Sequence, residues 1–211
     1  MRQNGGGQAG GADVWKGLAA GVVGGLVASW TMNQFQALWG KLSEEDQQGG
    51  QSQGGSSGQG AQGGGGAQEA QGAQQGGGQN GGQGDQKGGE ESEDATLKTA
   101  EAISENVFGH ELTKGEKEVA GPAVHYAFGS TMGALYGVAS ELWPRATAGE
   151  GVLFGTAVWL GADEAALPLL GLAKPPTEYP ASKHVNALAS HFVYGLTTDV
   201  VRRALRGTIL R

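Results

Sequence analysis

Long uncharged apolar stretches alternate with polar ones along this chain, and four of the apolar stretches have the length of a membrane-spanning helix. The first runs from Gly17 to Trp39 and the second from Val119 to Ser140. The third covers Gly151 to Gly171, and the fourth, which is the least hydrophobic, extends from about Lys183 to Arg206. Because a helix needs about 20 apolar residues to cross a bilayer, the pattern predicts an all-α fold, an integral membrane four-helix bundle.

Tryptophans lie at both ends of the first stretch, at positions 15 and 39. Such aromatic residues are typical of the two membrane–water interfaces. A signal peptide is the alternative for this stretch, because Lys16 precedes the apolar run. The length of the run and the lack of a small-residue cleavage site after it favour a spanning helix.

A low-complexity segment of Gly, Gln and Ser with scattered acids separates the first stretch from the rest. It has too few apolar groups to offset the entropy of ordering, so residues 43–94 are predicted to be a long disordered linker. This segment also makes the mean hydropathy of the whole chain negative, at −0.31. The predicted organisation is a flexible N-terminus (1–13), a first spanning helix (14–42), the linker (43–94), and an amphipathic helix with three spanning helices (95–211).

Local signals predict how the second span begins. Thr113 followed by Glu116 matches a capping box, which predicts a helix start near Lys114. Pro122 lies well inside the same apolar run, so a kink or a later start is also open. Ahead of it, residues 95–108 have the spacing of a short amphipathic helix on the membrane surface or on the bundle.

Charge sets the expected orientation. The chain has 211 residues, a formal charge of −7 and no cysteine, which excludes disulfides and thiolate metal sites. The acids are concentrated before residue 119, whereas the C-terminal end is rich in arginine. By the positive-inside rule these arginines and the short loop at Arg145 belong to the cytoplasm. Four spans then place both termini in the cytoplasm of a bacterial inner-membrane protein.

Small residues recur at every fourth position of the predicted spans. Ridges of this kind let helix backbones approach closely in lipid. The glycines with this predicted packing role are Gly21, Gly25, Gly129, Gly133, Gly137, Gly155 and Gly195. The ridges suit packing within one chain and packing between copies, so a homo-oligomer is as compatible with them as a monomer.

The two halves of the chain are also similar to each other. GVVGGLVASWTMNQ from Gly21 aligns without gaps on GVLFGTAVWLGADE from Gly151, and HYAFG from His125 matches HFVYG from His191. Two similar helix pairs in the same order predict a parallel repeat, related by an axis along the membrane normal.

Polar side chains from all four spans are predicted to lie at one depth. At 1.5 Å per residue, Asn33, His125, Asp163 and His191 fall roughly 9 to 13 Å below the outer surface. Glu164 follows Asp163 directly and is predicted to face another direction. A carboxylate at that depth must be protonated, paired or hydrated, and the two histidines are the expected partners of Asp163. These five residues form the candidate intramembrane polar site.

Three interpretations of that site stay open. It is an interhelical network that only locks helix packing, a site that handles protons or small cations, or a metal site, against which the lack of a compact ligand spacing counts. No cysteine nucleophile, GxSxG motif, P-loop or dinucleotide fingerprint is present. The sequence therefore predicts no enzyme, no cofactor, no bound metal and no nucleic acid, with the lipid bilayer as the main partner.

Three longer runs carry a family resemblance: AEAISENVFGHELTKGEKEVAGPAVHYAFGSTMGALYG, GTAVWLGADE and PPTEYPASKHVNALASHFVYG. They resemble the YagU-like family of bacterial inner-membrane proteins, over about Val14 to Leu42 and Ala95 to Arg206. The resemblance implies a multi-pass protein of the cytoplasmic membrane, loosely associated with acid or envelope stress, and it brings no catalytic residues. The long Gly/Gln insertion departs from the family pattern.

Overall fold

The computed structural model describes residues 9–51 and 87–208, with side chains described for 14–42 and 95–208. Its α-helices are α1 (Ala9–Gln51), α2 (Lys87–Ile103), α3 (Lys114–Leu142), α4 (Val152–Gly161), α5 (Leu167–Leu169) and α6 (Ala181–Thr208). A π-helical turn, Ser104–Phe108, ends α2, and a second one, Ala162–Ala166, joins α4 to α5. No strand occurs in the ranges described, which confirms the predicted all-α class.

Both helices next to the predicted linker extend into it. α1 continues to Gln51 and α2 already begins at Lys87, whereas the linker is predicted over 43–94. Glutamine, glutamate and lysine are good helix formers, so the chain can continue the helical turn beyond the apolar segment. The remainder of that prediction, residues 52–86, lies outside the described residues, as do positions 1–8 of the predicted flexible N-terminus.

α3 begins at Lys114, where the capping box predicts it. The backbone N–H of Glu116 donates to Thr113 Oγ1 (3.4 Å), and the backbone N–H of Thr113 donates to Glu116 Oε2 (2.7 Å). Hydrogen bonds from the Thr113 backbone, then from its hydroxyl and from His110, lower the pKa of Glu116 from 4.5 to about 2. The cap therefore stays ionised near neutral pH. Pro122 lies inside the helix, so the alternative of a later start is wrong.

Close glycine contacts join α1 to α3. A Cβ atom added to Gly21 would meet the carbonyl oxygen of Gly133, and one added to Gly25 would meet that of Gly129. Further along the same crossing, a Cβ atom on Gly137 would meet the carbonyl oxygen of Gly17. The backbones approach this closely because glycine has no side chain to hold them apart.

A second pair of helices, α4 and α6, packs in the same manner. A Cβ atom on Gly155 would meet the carbonyl oxygen of His191, and one on Gly195 would meet that of Gly151. Gly151 also has a φ of 87°, a conformation that residues with a side chain rarely adopt. The structure thus places all the glycines predicted for packing against a neighbouring helix.

The interior of the bundle is small and polar, while large apolar side chains lie outside. Residues with at most 1% exposure are Ala20, Ala28, Ser29, Ser190, Thr198 and Asp199. Large apolar residues left exposed include Val23, Leu26, Val27, Trp30, Phe128, Leu135, Leu153, Leu160, Leu196 and Val200. Water-soluble proteins show the opposite distribution, because removing apolar surface from water is their main stabilising contribution.

By length and mean hydropathy, one helix in the described part of the chain is apolar enough to cross a membrane. It is Val152–Leu169, with a mean hydropathy of 1.3 over 18 residues, of which 11% are buried. α1, α3 and α6 do not reach this threshold, because their glycines, alanines and polar residues lower the average. Four spans therefore remain a prediction.

Candidate polar cavity

A cavity of about 340 Å³ lies between α1, α2, α3, α6 and the π-helical turn that joins α4 to α5. Most of its wall is apolar. Its polar side chains are Ser29, Gln36, Thr96, Thr99, His125, Asp163, Glu164, Tyr179, Lys183, His184, Asn186, His191 and Tyr194. Four of the five residues of the predicted polar site, His125, Asp163, Glu164 and His191, are among them.

Asn33 is the residue that the structure does not bring to this cavity. α1 contributes Ser29, Met32 and Gln36 to the wall instead. These residues follow one face of the helix, and Asn33 is rotated about 100° away from Met32. The contacts of Gly21 and Gly25 with α3 set the rotation of α1, so the prediction for Asn33 is wrong.

Asp163 and Glu164 both face the cavity because they lie in a π-helical turn. This turn has wider spacing than an α-helix, which lets two consecutive carboxylates reach the same neighbouring helix. Asp163 Oδ2 lies 3.7 Å from His191 Nε2, and Glu164 Oε1 lies 2.7 Å from His184 Nδ1. The two histidines are seven residues apart, which is two turns on one face of α6. The prediction that Glu164 faces away from the site of Asp163 is therefore wrong.

His184 has an oxygen at each ring nitrogen. Nδ1 contacts the Glu164 carboxyl group at 2.7 Å, and Nε2 donates to the carbonyl oxygen of Pro176 at 3.0 Å. A neutral imidazole carries only one N–H. The Nδ1 contact is thus a hydrogen bond only when His184 is an imidazolium or when Glu164 is a carboxylic acid that donates to it. Either way, the pair holds one proton more than neutral histidine beside a carboxylate.

His191 is more deeply buried and less tightly paired. It is 6% exposed, and its Nδ1 donates to the carbonyl oxygen of Ala187 at 2.8 Å. Its Nε2 is 3.7 Å from Asp163, which is beyond hydrogen-bond length. A proton on either group would supply the missing donor. The His191–Asp163 pair is therefore an electrostatic contact that lacks a hydrogen bond in this arrangement.

His125 and Ser29 each direct an unpaired polar atom into this region. His125 Nε2 and Ser29 Oγ are buried and have no hydrogen-bond partner. The two residues are close because a Cβ atom on Gly129, one turn after His125, would touch Ser29 Oγ. Buried polar atoms without a partner are rare in folded proteins, so this side of the cavity is under-satisfied.

A second polar cluster lies at the opposite end of α6, around a carboxylate that is 1% exposed. Asp199 accepts hydrogen bonds from Tyr136 Oη at 2.9 Å and from Arg202 at 3.0 Å, and it pairs with Arg203 at 2.6 Å. The sequence analysis used these arginines only to orient the chain. The available signal was an acid followed by arginines three and four residues later, a spacing that brings side chains together on a helix.

His184 is the other residue that the sequence analysis missed. It lies in the first turn of α6, where the sequence predicts only the start of a helix. Its role depends on the Pro-rich loop folding back over the cavity, as the contact with Pro176 shows. Among the residues described, no group of three or more histidines and acids could hold a metal ion.

These features define an all-helical bundle with a mainly apolar cavity and two acid–histidine pairs at its wall. The chain belongs to the family described as "Protein of unknown function (DUF1440)", whose model matches residues 95–200. That range contains every cavity residue except those of α1. The match confirms the family resemblance that the sequence motifs indicate.

The chain is also similar to the "Inner membrane protein YagU" of Escherichia coli (strain K12), with 28% identity over 85 residues. The matched stretch covers 40% of this chain and 42% of that relative, so it spans less than half of either protein. No solved structure matches the chain.

Proposed function

We propose that this chain is a multi-pass protein of the bacterial inner membrane, in which α1, α3, the α4–α5 segment and α6 cross the bilayer. The support is the distribution of side chains, with small and polar residues inside and large apolar residues outside. Helices that pack through glycine can be only moderately hydrophobic and still be stable in lipid. The similarity to an inner-membrane protein points the same way. Both termini are then cytoplasmic.

Alkaline carbonate extraction tests the membrane proposal. We expect the protein to remain in the membrane pellet, because its outer surface of large apolar residues has no favourable contact with water. A peripheral membrane protein in the same sample serves as the control for complete stripping. Release of the chain into the supernatant together with that control would show that it does not span the bilayer.

The bundle is proposed to consist of two similar helix pairs, α1 with α3 and α4 with α6. Gly25 and Gly129 are in contact, and the aligned residues Gly155 and Gly195 are also close, with a Cβ atom on Gly155 3.4 Å from the Gly195 Cα. The same pairs of positions thus make the same kind of contact in both halves. An internal repeat would account for this.

Within this bundle, the cavity is proposed to take up and release protons. The single observation that carries the proposal is His184, whose two ring nitrogens both contact oxygens. The Glu164–His184 pair must hold a proton in this arrangement, and Asp163 and His191 can acquire one nearby. Ionisable groups inside a membrane are costly and commonly serve ion or proton pathways. A role in acid or envelope stress, which the family resemblance implies, would use such a site.

A structural lock is the second candidate, and the geometry of the pairs favours it too. Both acids lie in the π-helical turn, and both histidines lie on α6. The pairs therefore tie two helices together whether or not protons move. In that case, changing them would lower thermal stability without affecting any flux.

Reconstituted vesicles containing a pH-sensitive dye distinguish the two candidates. We expect a proton flux above that of empty vesicles, and its loss in Asp163→Asn, His191→Gln and Glu164→Gln, because these amides cannot exchange a proton with the cavity. Asn33→Ala is the matched control, since Asn33 lies on a neighbouring helix but does not line the cavity. Flux equal to that of empty vesicles, or unchanged in the three variants, would contradict proton handling. A lower melting temperature in detergent with no flux phenotype would support the lock.

A further inference from the structure

Two polar atoms of the cavity take no part in the acid–histidine pairs. They are Ser29 Oγ and His125 Nε2, both buried and without a hydrogen-bond partner. Ser29 is 0% exposed, so solvent does not satisfy it from outside the bundle. In helices, serine hydroxyls commonly bond back to a carbonyl one turn earlier, as Ser190 Oγ does with Asn186 at 2.9 Å. Ser29 does not, which leaves its hydroxyl available to an occupant of the cavity.

The rest of the cavity suits an apolar molecule. Side chains that contribute apolar surface include Met32, Val124, Phe128, Val158, Leu167 and Leu170. Its volume of about 340 Å³ is within the range of about 300 to 1,000 Å³ that small-molecule sites occupy. A mainly apolar wall with a few convergent polar atoms is the usual composition of such sites.

The charges of the cavity favour a neutral occupant. Asp163 and Glu164 already have histidine partners, and the Lys183 ammonium lies 5.1 Å from the centre of the Tyr179 ring. A charged headgroup would therefore have to displace an existing partner. A hydroxyl group can donate one hydrogen bond and accept others, so it fits Ser29 Oγ and His125 Nε2 in either tautomer of the histidine.

We propose that the cavity binds a neutral amphiphile, an apolar body with a single hydroxyl headgroup, whose hydroxyl bonds to Ser29 and His125. This site goes beyond the proposed proton handling, because it uses the polar atoms that the acid–histidine pairs leave free. It stands whether or not protons move through the protein.

Quenching of tryptophan fluorescence by 10-bromodecan-1-ol tests the site in the full-length protein reconstituted in lipid nanodiscs. Trp159 is a suitable reporter because its ring lies 6.4 Å from that of His184 at the cavity wall. We expect saturable quenching, with the apparent affinity reduced about fivefold in Ser29→Ala and in His125→Phe, the effect of losing one neutral hydrogen bond. Ser190→Ala is the matched control, since Ser190 is equally buried but lies outside the cavity, and it should bind as the wild type does.

Headgroup analogues make the test independent of how well the variants fold. In the wild type, 1-bromodecane should bind more weakly than the alcohol, and Ser29→Ala should leave its binding unchanged. Non-saturable quenching that is equal for all variants would mean partition into the bilayer only and would overturn the proposal. Equal binding of the alcohol and the alkane, or tighter binding of 10-bromodecanoate or of the matching ammonium compound, would also overturn it.

Discussion

Alanine at Gly21 is expected to destabilise the bundle, whereas alanine at Gly40 of the same helix is expected to stabilise it. Both changes improve helix propensity by about 0.5 to 1 kcal/mol. A Cβ atom on Gly40 has nothing within 4 Å, so only that gain remains. At Gly21 the new methyl group would meet the Gly133 carbonyl oxygen and approach the Gly137 Cα to 3.0 Å.

The cost at Gly21 is large because the obstacle is backbone. Atoms of a helix backbone cannot rotate away as a side chain can, so α1 and α3 would have to separate along the whole crossing. Overpacking of this kind costs about 1 to 3 kcal/mol, and Gly21→Leu should exceed that. Thermal unfolding in detergent measures the effect. Equal stability of Gly21→Ala and Gly40→Ala would show that α1 and α3 are not in close backbone contact.

Replacement of Asp199 by alanine is expected to cost about 3 to 5 kcal/mol of folding free energy, the usual loss when one partner of a buried ion pair is removed. Arg202 is 7% exposed and lies beside Asp199, and its guanidinium carbon is 5.6 Å from the centre of the Tyr136 ring. Without the carboxylate, a guanidinium with an already unpaired Nε would keep its charge in a buried position. Tyr136 would lose its acceptor at the same time.

Two further variants make the Asp199 prediction specific. Glu150→Ala removes another acid near the same arginines, but the Glu150 side chain is 75% exposed and 4.0 Å from Arg203, so we expect at most about 0.5 kcal/mol. The double change Asp199→Leu with Arg202→Met removes both buried charges and should recover most of the stability. Chemical unfolding in detergent compares the three proteins. A double variant as unstable as Asp199→Ala would mean that the site does not depend on charge compensation.

The predicted polar site shows which inferences from sequence hold in three dimensions. His125, Asp163 and His191 were placed together from helix rise and segment ends alone, and they line one cavity. Position along a helix axis depends only on residue number, so depth can be predicted. Rotation about the axis depends on which face packs, and for this reason Asn33 lies off the cavity although its depth was predicted in the same way.

Glu164 and His184 depend on geometry that no periodic pattern contains. A π-helical turn does not follow from any spacing of apolar residues, yet it turns Glu164 towards α6. His184 becomes part of the cavity through a loop that returns over it, which is a long-range contact. The amphiphile site likewise depends on Ser29 lacking a local hydrogen bond, which only the packing of α1 on α3 reveals.

Sequence alone determined the helical class, the start of α3, the glycine positions suited to close packing and the family, because these depend on local composition and spacing. Tertiary structure decided which acids meet which histidines, where the π-helical turn falls and which polar atoms stay unpaired. These features depend on helix rotation and loop closure, which residues far apart in the chain set together.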